Sequence, residues 1–108
     1  MSKNNEDHFE ILKNINKFPN SSQRKLAAKS GLSLGKLNYC LNALINKGFV
    51  KIENFKSNEN KFNYIYVLTP RGISHRAKLT INFMKKKMEE YDELKKEYNY
   101  LKKETKKK

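Results

Sequence analysis

Three observations predict a mainly α fold with one small β-hairpin. Apolar residues recur at helical spacing over residues 9–18 and again over 34–45. Between residues 49 and 68 the period changes, to two short runs rich in β-branched and aromatic residues, FVKIENF and FNYIYVL. From Pro70 to about Glu104 the only helix breaker is Gly72, near the start.

Residues 1 to 5 are polar, and Glu6 and Asp7 suit the first turn of a helix. Phe9, Ile11, Leu12, Ile15 and Phe18 then form an apolar face up to the turn signal Pro19-Asn20. Ser21 or Ser22 can cap a second helix, QRKLAAKS, with Leu26 and Ala27 inward and Gly31 as its stop. Ser33 caps a third. On it Leu34, Leu37, Leu41, Leu44 and Ile45 share one face, and Gly35, Lys36, Tyr39, Asn42, Ala43 and Asn46 lie opposite. Asn38 and Cys40 fall on the flanks, and Gly48 closes the helix. KSNENK is a polar tip between the two strand-like runs. Thr69-Pro70 is an N-cap followed by proline at the first helical position.

The second and third helices are joined by KSGLS alone, the signature of a helix-turn-helix. A hairpin directly after it makes a wing. The expected fold is therefore a winged helix-turn-helix over residues 1–69, a long C-terminal dimerisation helix over 70–104, and a basic tail over 105–108. At about 1.5 Å per residue the long helix would span roughly 50 Å, more than a small domain can cover.

Charge narrows the partners. With 24 Lys and Arg against 11 Asp and Glu, the formal net charge is +13, which favours an anionic partner. A composition rich in Lys, Asn and Ile carries part of this excess by itself, so its distribution matters more than its total. The third helix mixes amides, a phenol and a lysine on its wet face, with no acid. A helix that lies in a major groove needs that chemistry: amides read base edges, Asn with adenine above all, and acid would be repelled by phosphate. Asn38 and Asn42 are the candidate base readers, with Tyr39 and Lys36 for bases or phosphates. The first-turn amides near Ser33 and Gly35 can hold a phosphate. Arg24, and with it Lys25, can reach flanking phosphates. On the hairpin, Lys56, Asn58, Asn60 and Lys61 can lie along the backbone or enter the minor groove.

The long helix has another task. Ala77, Ile81, Met84, Met88 and Tyr91 follow a 4-3-4-3 spacing, and Leu94, Tyr98 and Leu101 continue it after one short step. Ile73, Ala77 and Leu79 are expected to pack on the domain. Beyond them Ile81, Met84, Met88, Tyr91, Leu94, Tyr98 and Leu101 form the expected dimer interface. An antiparallel or crossed pair of such helices makes a two-fold homodimer, suited to a pseudo-palindromic double-stranded DNA operator.

SQRKLAAKSGLSLGKLNYCLNALINKGFVKIENF, NKFNYIYVLTPRGI and AKLTINFMKKKMEEY together resemble the winged-helix regulators of the MarR family. The similarity runs from about Gln23 to Tyr98, and is greatest to the short bacterial subgroup associated with extracellular polysaccharide (EPS). The resemblance implies a dimeric DNA-binding transcriptional regulator, with the recognition helix on Ser33 to Lys47 and the wing on Val50 to Leu68. Where typical members carry Asp and Arg in the wing, this chain has Glu59, Asn60 and Lys61. Typical members also build the dimer and a ligand pocket from longer terminal helices. Here the C-terminal helix is expected to carry the dimer, without an effector pocket.

Other classes fit less well. Two histidines, His8 and His75, and one cysteine offer no catalytic or metal-spaced cluster, and no glycine-rich phosphate loop is present, so neither an enzyme nor a cofactor is expected. Cys40 alone excludes an intramolecular disulfide but leaves a redox-sensor reading open if the thiol is exposed. A protein-interaction module without specific DNA binding is the remaining alternative. No signal-peptide-like run and no stretch of about 18 apolar residues occurs, so a cytoplasmic protein without a membrane role is expected.

Overall fold

The computed structural model describes residues 3–56 and 62–106, with side-chain surroundings for residues 5–53 and 65–106. Among these, the order is α1 (Lys3–Lys17), α2 (Gln23–Ser30), α3 (Leu34–Asn46), β1 (Val50–Lys56), β2 (Phe62–Leu68) and α4 (Pro70–Lys106). This is the expected winged helix-turn-helix with a long C-terminal helix. α1 starts at Lys3, ahead of the acidic first turn read from the sequence, and α4 continues through Lys106.

Local signals fix the helix-turn-helix. Ser22 Oγ accepts from the Lys25 amide at 3.1 Å, and Ser33 Oγ accepts from the Lys36 amide at the same distance. Each such cap contributes about 1 kcal/mol. Gly31 takes a left-handed φ of +69°, which lets the Leu32 amide return to the Ala27 carbonyl at 2.9 Å and ends α2 abruptly. α3 begins three residues after Gly31, at Leu34.

The core lies between α1, α2 and α3. Ile11, Leu12 and Ile15 meet Leu26 and Ala27, then Leu37, Leu41 and Leu44. Val50 and Leu68 pair at the root of an antiparallel hairpin and seal the core from below. Gln23 Nε2 donates to the Tyr66 hydroxyl at 2.8 Å, tying the wing to the start of α2.

Two expectations for α3 are corrected. Leu34, placed on the buried face, is 41 % exposed, because it opens the helix at the edge of the apolar arc, beyond the reach of its neighbours. Cys40, placed on a flank, is fully buried, because the core wraps around that side of α3.

α4 packs on the body only through its first turns. Leu79 is buried, His75 stacks on Phe49 with ring centroids 4.1 Å apart, and Phe83 meets Phe9 at 4.9 Å. Ile73 and Ala77 were expected beside Leu79 but are exposed, since the inward face runs through Gly72, His75, Leu79 and Phe83 and they sit roughly 115° and 155° around the helix from its centre. From residue 84 to 106 every residue is exposed, and the molecule measures 75 × 24 × 22 Å.

The start of α4 lies directly on the Phe49 backbone, in the link between α3 and β1. A Cβ on Gly72 would lie 1.9 Å from the Phe49 carbonyl oxygen, a backbone atom that cannot swing aside. Gly72→Ala should therefore cost about 1–3 kcal/mol of stability, typical of overpacking. Urea denaturation would show this as a lower midpoint, and an unchanged midpoint would mean that the contact tolerates a side chain.

Candidate nucleic-acid interface

α3 presents a continuous wet stripe. Gly35, Asn38, Tyr39, Asn42 and Asn46 are exposed, with Tyr39 at 68 %. Asn38, expected on a flank, belongs to this stripe. Asn42 Nδ2 approaches Asn38 Oδ1 at 3.4 Å, so the two amides form one donor–acceptor array a turn long. Gly35 has nothing within 4 Å of where its Cβ would be. No contact inside the chain requires a glycine there, although glycine weakens a helix by roughly 0.5–1 kcal/mol relative to alanine. A bare backbone at the start of an exposed helix suits close approach by a phosphate.

Lys36 lies beside this stripe and not at its centre. Its Nζ stands 3.9 Å from Asp7 Oδ2 and 5.6 Å from the centre of the Tyr39 ring. Asp7 is buried on α1, and its Oδ2 has no hydrogen-bond partner. The lysine side chain remains 38 % exposed, so it can turn outward from this long contact.

The charge around the stripe is one-sided. No Asp or Glu occurs anywhere in residues 11–52, while Lys13, Lys17, Arg24, Lys25, Lys29, Lys36, Lys47 and Lys51 do. The acid-free surface thus extends beyond α3 to the whole helix-turn-helix. Arg24 and Lys25 are exposed at the start of α2. Lys17, Lys25 and Lys29 gather around the Phe18 ring, with Lys29 Nζ at 4.6 Å from its centre. This cluster went unnoticed in the sequence because its members come from two helices, and only the fold brings them to one ring. On the wing, Asn58, Asn60, Lys61 and the side chain of Lys56 lie outside the described residues. Lys51 pairs with Glu53 at 3.1 Å.

The remaining candidate chemistry is sealed. Cys40 is fully buried, and burial pushes its thiol pKa up, the opposite of what a reactive thiolate needs. Among the described residues no three His, Cys, Asp or Glu side chains converge on a point where a metal could bind, and no helix is long and apolar enough to cross a membrane.

Comparison with known proteins agrees with this geometry. Residues 5–51 match the family model described as winged helix-turn-helix DNA-binding. No curated protein sequence matches the chain. Among solved structures, Staphylococcus aureus MarR in complex with salicylate and kanamycin superposes with a TM-score of 0.61 at 17 % identity, covering 80 % of this chain and 56 % of that one. The PcaV transcriptional regulator of Streptomyces coelicolor superposes at 0.59 with 15 % identity, over 73 % and 57 %. Lactococcus lactis ZitR in complex with DNA superposes at 0.57 with 19 % identity, over 84 % and 58 %. At these identities the likeness establishes the fold, and the chain spans a little over half the length of these relatives.

Two histidines, His8 and His75, have lowered pKa values. His8 is buried on α1, where loss of hydration and then the nearby Lys47, His75 and Lys36 lower its pKa below 6.5, against an opposing pull from Asp7. His75 is lowered in the same sense, first by burial and then by Lys47 and Lys78. Both are held neutral in the fold. Their contribution is complete above 6.5, the unfolded value, and is lost as pH falls through the lower folded values. The urea midpoint should drop between pH 7.5 and 5.5, and His8→Gln should flatten that slope. An identical slope in the variant would show that His8 is not held neutral.

Proposed function

We propose that the protein is a sequence-specific, double-stranded DNA-binding transcriptional regulator that acts as a homodimer in the cytoplasm. The observation that carries this reading is the stripe on α3: two amides, a phenol and an unobstructed backbone, raised on a surface with no acid over residues 11–52. In the major groove, Asn38 and Asn42 offer the donor–acceptor pair that adenine presents in complement. Tyr39 and Lys36 reach bases or phosphates, Arg24 and the capped amides after Ser33 hold the backbone, and the wing lysines Lys56 and Lys61 follow the neighbouring groove. The DNA complex of ZitR supports this use of the fold. The exposed stripe on α4 supports a dimer, and a two-fold dimer reads a pseudo-palindrome with half-sites about one helical turn apart. The resemblance to the EPS-associated subgroup makes promoters of polysaccharide genes the first place to search for the operator.

Substitutions separate reading from attraction. Asn42→Ala should lose about 1–3 kcal/mol of discrimination at one or two base pairs. Lys56→Ala should weaken all sequences alike and reduce the salt slope by about 1. Gly35→Ala should stabilise the fold by up to about 1 kcal/mol yet weaken DNA binding. These are read by fluorescence anisotropy across a salt series, with urea denaturation alongside. If Asn42→Ala and Gly35→Ala bind as the unaltered protein does, the stripe does not face DNA.

A further inference from the structure

Met84, Met88, Tyr91, Leu94, Tyr98 and Leu101 are each more than half exposed along α4. The same stripe reaches back to Ile73, Ala77 and Ile81, which line an open apolar depression of about 340 Å³ on the side of α4 away from the body. Its composition is that of a core with one half missing.

We propose that the missing half is the α4 helix of a second copy, running antiparallel, with the two-fold axis between Lys87 and Met88. This rests on the homodimeric reading above and specifies its geometry. Ala77, Met84, Tyr91 and Tyr98 form a column at strict seven-residue spacing. In the first half of the helix Ile81 lies to one side of that column, and in the second half Leu94 and Leu101 lie to the other. A two-fold through the middle closes such a stripe on itself. It sets Ala77 against Tyr98 of the second copy, Ile81 against its Leu94, and Met84 against its Tyr91.

Size and charge select this register. The smallest residue of the column meets one of the largest, whereas a parallel pair would set Tyr91 on Tyr91 and leave Ala77 facing Ala77. On the flanks Lys85 comes within two residues of the level of Asp92 of the second copy, about 3 Å along the axis, and Arg76 within two residues of its Glu97. Lys87 lies near its own copy across the axis, and that repulsion is offset by Glu90, 3.5 Å from Lys87 within each helix. A shift of one heptad in one direction brings Asp92 against its own copy, and in the other direction Lys85 against its own. The axis also falls near the middle of Pro70–Lys106, so the two helices overlap along their full length. The body-packed stretches from Gly72 to Phe83 are then centred about 30 Å apart along the helix axis. That is close to the roughly 34 Å between successive major-groove faces on one side of a duplex.

Cysteine cross-linking reads the register directly. Ile81→Cys and Leu94→Cys are made separately in the full chain, where Cys40 is sealed in the core and both new thiols are on the exposed face. In the proposed dimer each new cysteine is about 20 Å along the axis from its own copy, so neither variant cross-links alone. A mixture of the two should yield a disulfide-linked heterodimer under mild oxidation. Sedimentation on the same samples reports the oligomeric state. A dimer whose single variants link to themselves is parallel and overturns this inference while leaving the dimeric reading intact. A dimer that links in no combination overturns the register. A monomer at tens of micromolar overturns both.

Discussion

Everything the molecule offers to a partner is oriented by one small junction, where α3, the wing and α4 meet. Thr69 Oγ1 donates to the Gly48 carbonyl and accepts from the Gly72 amide at 3.0 Å, while the Thr69 amide donates to the Phe49 carbonyl at 3.0 Å. One residue caps α4, satisfies the end of α3 and closes the root of the hairpin. Gly72 lets α4 lie directly on the Phe49 backbone, and the Phe49 ring in turn stacks on His75. The recognition stripe and the long helix therefore move as one body. That coupling matters for the proposed function, because a dimer could read two half-sites together only if each α3 has a fixed relation to the dimer axis.

Acid is unevenly distributed along the chain. The helix-turn-helix holds bases and no acid over residues 11–52, whereas six of the eleven acids lie in α4, at Glu89, Glu90, Asp92, Glu93, Glu97 and Glu104. Acid would be repelled from a surface that meets phosphate, but on α4 it can pair with the lysines and arginines of another helix. What separates the two parts is the placement of acid and not the excess of base, because residues 70–108 hold thirteen Lys and Arg beside those six acids.

Much of the architecture was legible because it rests on local chemistry. Ser33 as a cap, Gly31 in the turn and Thr69-Pro70 at the head of α4 each act through the backbone within a few residues, and each stands where it was read. Failures came where a neighbour decides. Periodicity shows that α3 and α4 have apolar stripes but not how far another element covers them, so Leu34 emerged from the core, Cys40 entered it, and Ile73 and Ala77 turned to solvent. The Asp7–Lys36 contact, the lysine cluster at Phe18 and the close contact at Gly72 bring together residues from different elements, and spacing along one chain carries no trace of them.

The most direct test of the central claim, that the α3 face reads sequence in duplex DNA, is selection of bound duplexes from a random pool at physiological salt. The account predicts enrichment of an inverted repeat with half-sites about one helical turn apart. Salt-sensitive binding without any enriched sequence would contradict it, and would reduce the basic surface to non-specific attraction.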